Sequence, residues 1–508
     1  MAAEAGVDLV VSQLRASLIT GTGPYGVGSA MTSGSGVSNT LTLSTEGGKK
    51  VWCEYWYDAP SYLKTWPSNN PLQWYIIRSY GYCEVPGGRV VSDDAKLKYK
   101  DGGIVGFQWS KLRKFDLQKD HRTKDDTWTS GTNTSPRAWR KIEAIVKPVS
   151  GFDLALFALN EMDFKGNNVL VDSFNSLDSS KSISGSTDSS GNYSGGLYPD
   201  VLEGLTGQTE RANAINTYNS SHNPDLDADY FSTSIANGDI ATDGPLINVG
   251  NSNIYGDAST NSPTDDNTSI QLGTNGLVTG ETNEDFYMDA PLPSDPNLWE
   301  YNSNSALTTV NNSGEVVLTA AAESTNPDGT TKYGAYYYLD EIRMSGNNNS
   351  IHITKSGSSS ETQYVLIQVT GDISMTGNSA AINVDSGIKV RLYVAGDVDI
   401  GGNGIVNGSK DATSFQIYGY NDGSGTTPQG TFSYHGNAAF YGGVYAPNHD
   451  VTLGGGGNSD IDIYGSFVGY NIKLNGHMNV HYDEALGSSG IITNYRVVSW
   501  FEDTVDKQ

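Results

Sequence analysis

His481, Tyr482, Asp483 and Glu484 place an imidazole, a phenol and two carboxylates in four consecutive residues. In a strand entering a turn His481 and Asp483 share a face, as an acid/base pair or part of a metal site would require. No Ser or Cys stands in a recognisable nucleophile elbow, so the same residues also read as structural polar groups. Asp225, Asp227 and Asp229 alternate like the first oxygen donors of a calcium loop, and Ca2+ is the only cofactor the sequence suggests. The glycine of an EF-hand turn is missing and Tyr230 follows instead, so a solvated acidic loop is the competing reading. Asp372 and Asp397 hold the same position in two repeats, where stacking would set their carboxylates ~5 Å apart, the separation used in glycan cleavage. Asp at a strand entry is also a turn former. Gly454 to Gly457 lacks the Lys and hydroxyl sequel of a phosphate loop, and neither a dinucleotide fingerprint nor zinc spacing is visible.

The elements that must position these groups follow from a repeated phrase, in which two alternating apolar residues lead into Gly-Asn. It occurs at Ile342, Met344, Gly346 and Asn347, at Ile373, Met375, Gly377 and Asn378, and at Val398, Ile400, Gly402 and Asn403. An earlier copy is Met162, Phe164, Gly166 and Asn167, and a looser one ends at Gly476 and His477. Alternation with a period of two marks a strand with one buried face, and Gly-Asn tolerates the positive φ of a tight corner. One such unit cannot bury its apolar face, whereas stacked copies can. Successive copies stand 31 and 25 residues apart, a period that marks solenoids or propellers. The long strand-like runs before each corner and the lack of a Trp-Asp marker favour a right-handed parallel β-solenoid.

The chain has 508 residues, 60 of them Gly, and a net charge of −26, which disfavours a nucleic-acid partner. Between Arg89 and Lys147 there are 14 basic against 8 acidic residues. Lys96, Lys98, Lys100, Lys111, Arg113 and Lys114 therefore form either a basic patch or an ordinary solvated face. With 30 Tyr, 9 Trp and 13 Phe the composition is that of an ordered protein.

Residues 1–20 read as a helix, with Val7, Val10, Val11, Leu14 and Leu18 at helical spacing. Residues 35–150 read as a small antiparallel α+β domain, with strands around Leu41, Val51 to Tyr57, Gln73 to Val85, Arg89 to Lys100 and Trp139 to Lys147. Cys53 and Cys83 fall in two of these strands; a disulfide follows if the strands are neighbours, and two buried thiols otherwise. The solenoid is expected over 151–486 with an insertion at 174–230, Asp289 to Pro296 is an extended connector, and 487–508 is a terminal cap or tail. No charged segment followed by an apolar core, as in a signal peptide, follows Met1. Either the protein is cytosolic or a preceding segment has been removed.

The run Ala2, Ala3, Glu4, Ala5, Gly6, Val7, Asp8 and Leu9 resembles the end of the long N-terminal helix of PilX-like type IV pilus minor pilins. Ile142 to Pro148, Ala155 to Ala158 and the stretch from Gly166 and Asn167 to Val171, Asp172 and Ser173 are similar to the middle of large members of that family. Val444 to Asn448 and His481 to Leu486 resemble their C-terminal part. The resemblance implies an extracytoplasmic protein, anchored in the membrane as a precursor, that joins other pilin-like subunits through its N-terminal helix. The apolar half of that helix is absent from this sequence.

The expectation is a mainly β, non-enzymatic pilin-like protein that displays its solenoid for adhesion to surface glycans or to host or neighbouring cells. A carbohydrate-binding or carbohydrate-cleaving β-helix protein is the alternative, and a self-assembling solenoid scaffold a second.

Overall fold

The computed structural model describes residues 2–20, 39–45, 51–58, 75–84, 137–165, 169–176, 237–262, 268–293, 295–296, 298, 302–325, 331–357, 360–420, 428, 430–454, 461–476 and 478–504. The chain divides into two compact units, one comprising residues 1–63, 74–147 and 496–508, the other 64–73 and 148–495.

The first unit is a helix on a sheet. Helix α1 (Ala2–Thr20) buries Ala3, Val7, Val10, Val11 and Leu14, a stripe of helical periodicity, while Asp8 and Ser12 stay exposed. It packs on β2 (Val51–Asp58) and β3 (Tyr75–Glu84), which lie between β1 (Asn39–Ser44) and β4 (Arg137–Ser150) in an antiparallel array. Gly6 permits this approach, because a Cβ there would collide with the Ser79 side chain and stand 3.1 Å from the Cβ of Tyr55. Arg78 is buried, and its Nε donates to Glu143 at 2.9 Å, directly across the β3–β4 register.

One expectation changes in this unit. The Cys53–Cys83 disulfide is not formed, and Cys53 is a free, buried thiol. The strands are neighbours, but Cys53 faces Gly81 while Cys83 faces Val51. This diagonal relation leaves ~7 Å between Cβ atoms, whereas a bridge needs ~4 Å. In the range expected as a cap or tail, the strand Ile492–Thr504 extends the sheet beside β4 as its fifth member.

The second unit is a parallel solenoid. A typical coil runs Gln363–Val369, Ile373–Met375 and Ala381–Val384, and the next runs Ile388–Val394, Val398–Ile400 and Gly404–Asn407. Equivalent residues pair in register, Ile367 with Leu392 with Ile417 and Ile373 with Val398 with Phe432. Their side chains join Val365, Val369, Met375, Ile382, Val390, Val394, Ile400 and Ile405 in one continuous buried core. Alternation puts every second residue inside, so the sheets close around an apolar interior that no single coil could bury.

Stacking order departs from sequence order. Coils proceed from Ala335–Leu339 through Gln363–Val369, Ile388–Val394, Phe415–Gly419, Phe440–Ala446 and Ile461–Asn475. The next layer is Leu156–Phe164, from the start of the unit, where Phe467 pairs with Leu156 and Ile472 with Met162. Leu156–Phe164 then pairs with Ile240–Thr242 and Leu246–Gly250, which carry the stack onward to Ala258–Ser259 and Thr282–Asn283. The first coil is therefore interior to the stack, and both its edges are satisfied.

The chain returns from one end of this stack to the other through the expected connector. Met288 N donates to Asp243, Tyr445 Oη to the Pro291 carbonyl, Gln368 Nε2 to Asp295 and Ser303 N to the Tyr336 carbonyl, at 2.9, 3.0, 2.8 and 2.6 Å. The described residues between 288 and 303 thus cross the outer face of the stack as a strap, with polar anchors on four of its coils.

Candidate functional site

The residues singled out at the end of the solenoid come together with the first coil as a clasp. His481 Nδ1 lies 2.6 Å from Asp172 Oδ1, and its Nε2 is 3.6 Å from Asp462 Oδ1. Both His481 and Asp172 are buried, and the imidazole is tilted on the Tyr464 ring with centroids 4.8 Å apart. Tyr464 in turn stacks flat on Tyr441. Tyr482 Oη donates to the Phe152 carbonyl at 2.7 Å. Asp483 Oδ1 accepts from Ser176 N at 2.9 Å and from Ala485 N at 3.1 Å, capping the short 3-10 turn Glu484–Ser488. Glu484 Oε1 accepts from Asn237 Nδ2 at 2.7 Å and Ser173 Oγ at 3.3 Å.

Each of the four side chains bonds to the first coil or the segment beside it. The strand Met478–Asp483 runs parallel to Leu170–Phe174 with His481 opposite Asp172, which sets the ion pair. Burial opposes a charge on His481, but the Asp172 and Asp462 carboxylates outweigh it and raise its pKa to about 9. Burial pushes the Asp483 carboxyl up to about 6, against the lowering effect of its hydrogen bonds. At neutral pH His481 is a buried cation saturated by two carboxylates, which suits a lock and not a proton shuttle. No group of three metal-ligating side chains occurs among the described residues.

The repeat positions also resolve into structure. Asp372 Oδ1 accepts the backbone N–H of Asp397 at 2.9 Å, and Asp397 Oδ1 accepts that of Thr431 at 2.7 Å. A second ladder runs from Asp239 to Asp257 N and from Asp257 to Glu281 N, both at 2.7 Å. Asp at these corners bonds the next coil rather than its own turn. Each is preceded by glycine because a Cβ at Gly396 or Gly256 would stand 2.7 or 2.6 Å from the backbone carbon of the glycine one coil earlier. Gly-Asp is thus a stacking phrase whose signal was present in the sequence alongside Gly-Asn.

The Gly-Asn corners need a different explanation from the one their composition suggests. Gly402 has φ +61°, but in the first copy the left-handed residue is Asn348, not Gly346 or Asn347. Gly377 is glycine for space, since a Cβ there would collide with the Gly346 carbonyl one coil below. Asn378 follows Gly377 in that second corner, where neither residue is left-handed. Asn403 lines an open recess with Asn348, Asn349, Ser350, Ser379 and Asn383, a surface without any titratable group. Gly166, Asn167, Asp225, Asp227, Asp229 and the lysines and arginines from Lys96 to Lys114 lie outside the described residues, as does most of the insertion expected at 174–230.

Sequence reasoning missed one chemically distinct place, the outward face of Ile388–Val394. Arg391 there donates through Nη1 to Gln416 Oε1 and Tyr418 Oη, both at 2.6 Å, with its guanidinium 5.7 Å from the Tyr418 ring centre. The signal was the run Lys389, Arg391 and Tyr393 on the odd positions of an otherwise apolar strand.

A family model described as a domain of unknown function (DUF7305) matches residues 300–489. No curated protein matches the chain. Among solved structures, the chain is similar to the competence-associated pilin ComZ from Thermus thermophilus, at 9% identity and a TM-score of 0.25, over 99% of this chain and 96% of that one. It is also similar to an ice binding protein from an Antarctic bacterium, Flavobacteriaceae, at 9% identity and a TM-score of 0.14, over 65% of this chain and 96% of that one. Neither likeness is strong enough to bear on function. No helix among the described residues is long and apolar enough to cross a membrane.

Proposed function

We propose that the chain is a non-enzymatic, extracytoplasmic pilin-like protein in which the helix and sheet join a filament or membrane assembly and the solenoid is displayed for surface interaction. The observation that carries this reading is the way the solenoid is inserted. Its entry and exit lie side by side: Gly151 N donates to the Ile491 carbonyl at 2.8 Å, and Thr493 Oγ1 to the Val149 carbonyl at 3.3 Å. The chain leaves the sheet at the end of β4 and returns in the neighbouring strand Ile492–Thr504. Stacking the first coil against the last makes this possible, because a solenoid threaded in sequence order would deliver its exit many coils away from its entry.

The same reading accounts for the helix. One face of α1 is committed to the sheet through Val7, Val10 and Leu14, and in this reading the face with the exposed Asp8 and Ser12 is the one that meets neighbouring subunits. The resemblance of the first residues to PilX-like minor pilins points the same way, as does the use of the singled-out carboxylates as structural acceptors.

The test is a photo-crosslinking residue at Asp8 or Ser12, introduced into the protein in the cell that encodes it. Adducts with pilin-like subunits are expected. Recovery of the protein only from the cytosol, without such adducts, would overturn the reading.

A further inference from the structure

The solenoid changes cross-section where its third sheet stops. Successive coils add Glu315–Thr319, Ser350–Thr354, Ala381–Val384 and Gly404–Asn407 to a four-stranded sheet. The next coil adds none, because the chain passes from Gly430–Tyr434 to Phe440–Ala446 through residues 435–439 alone. That short passage lies against the previous corner, with Asn437 N donating to the Gly402 carbonyl at 2.9 Å. At this step the outward side of the sheet holds an open recess of about 510 Å³, a volume suited to a small ligand.

The recess is polar and uncharged. Asn348, Asn383, Asn403 and Asn437, one from each of four successive coils, line it together with Val406 and Ala438. The four side-chain amides make no hydrogen bond among the described residues. Neighbouring amides are spent on the fold: Asn349 bonds Gly314 N and the Gly346 carbonyl, and Asn407 bonds Ser414 Oγ and the carbonyls of Asp411 and Tyr441. Asn348, Asn403, Asn437 and Val406 are exposed. None of the anchors of the strap between 288 and 303 lies on this sheet.

The chemistry of the lining selects the ligand. In the register Asn383 lies between His352 and Val406. His352 is itself held between carboxylates, its Nε2 3.0 Å from Asp385 and its Nδ1 3.4 Å from Glu315, so it offers an acidic ligand no unmatched charge. An unbonded amide presents a donor and an acceptor side by side, which adjacent sugar hydroxyls match, while Val406 and Ala438 suit the apolar face of a ring. Coils rise by ~4.8 Å, close to the advance of one ring in an extended β-linked glycan. Amides from successive coils therefore keep step with successive rings. An extended peptide advances ~3.3 Å per residue and falls out of step. The corner main chain it would pair with is spent on stacking, Asn403 N on the Ala380 carbonyl and Gly377 N on that of Met344.

We propose that this recess binds a neutral, linear oligosaccharide lying along the stack, its hydroxyls bonded to Asn348, Asn383, Asn403 and Asn437 and its rings packed on Val406 and Ala438. The proposal names a ligand class for the solenoid surface displayed in the pilin-like reading, yet purified protein tests it. Failure to bind would leave the crosslinking outcome untouched, and failed crosslinking would leave binding to be measured.

The experiment is calorimetric titration of the whole chain with the cello-, laminari-, manno- and chito-oligosaccharide series at two, four and six rings. Tetragalacturonate and the hexapeptide Gly-Ser-Gly-Ser-Gly-Ser serve as comparisons. At least one neutral series is expected to bind, tightening from two rings to four as successive coils are engaged and gaining little from four to six. Asn383→Asp and Asn403→Asp, which keep side-chain shape but lose the amide donor and add a charge, are each expected to weaken binding about tenfold with melting unchanged. The proposal is overturned if no neutral saccharide binds with a Kd below about 1 mM, if affinity is the same at two rings as at four, if tetragalacturonate or the peptide binds more tightly than every neutral saccharide, or if both variants bind as the unaltered protein does. The length series uses unaltered protein, so misfolding of a variant does not leave the question open.

Discussion

The imidazole of His481 lies 2.6 Å from the carboxylate of Asp172, joining residues 309 apart in sequence across the layer where the last coil of the solenoid meets the first. With Tyr482, Asp483 and Glu484 it makes four consecutive side chains into a clasp. That clasp holds the insertion's two ends together.

Removing one partner of this pair strands the other in the interior. Asp172→Asn is expected to destabilise the solenoid by about 3 kcal/mol or more. Hydrogen exchange checks this: protection of Leu170 to Phe174 and Met478 to Asp483 falls first, while the coils near Ile382 keep theirs.

Alkali has the same target. The folded pKa of His481, about 9, is raised above its ordinary 6.5, so its contribution is fully present below about pH 6.5 and is lost as pH rises through about 9. Solenoid melting is expected to fall between pH 7 and 9.5. His481→Gln should start lower and lose most of that slope, and equal slopes in the two proteins would contradict the ion pair.

Mild acid works in the opposite direction. Burial raises Asp239, Asp243 and Asp483 to about 6, so each contributes stability that is present below the ordinary carboxylate range and lost as pH rises through about 6. Melting is expected to rise when pH falls from 7 to 5. Asp239→Asn should flatten that rise, which a melting series at half-unit pH steps would measure.

The Gly-Asp ladder separates space from hydrogen bonding. Asp372→Ala removes one exposed acceptor for Asp397 N and should cost about 1 kcal/mol. Gly396→Ala forces a Cβ toward the Gly371 backbone and should cost more, since backbone cannot yield as a side-chain tip can. Chemical denaturation of the two variants ranks them.

Gly6→Val pushes a branched side chain against Ser79 and Tyr55. Release of α1 from its sheet is expected, seen as faster proteolysis within Ala2–Thr20 while the solenoid core stays resistant.

What the sequence made legible was local. The alternation at Ile342, Ile373 and Val398 identifies strands stacked in a repeat, and the spacing of Val7, Val10 and Leu14 identifies the helix face that the sheet buries. Stacking order was not legible, because Met162 pairing with Ile472 presents the same apolar pattern as any other neighbour in the stack. Nothing in an alternating strand encodes which copy lies above it. The pairing of the strand from Ile492 with β4, hundreds of residues earlier, was not legible either, because neither sequence names its partner. His481 to Glu484 concentrate polar groups in a buried strand, but only the register shows that they bond Asp172, Phe152, Ser176 and Asn237. Arg391 was passed over because its strand reads as core, and its lack of a counter-charge is visible only in three dimensions.

The central claim, a solenoid displayed outside the cytoplasm by a pilin-like unit, is tested most directly by immunogold electron microscopy of intact cells with antibodies against the coils around Ile382 and Val406. The account predicts label on filaments or on the outer surface of unpermeabilised cells. Label that appears only after permeabilisation, within the cytoplasm, would contradict it.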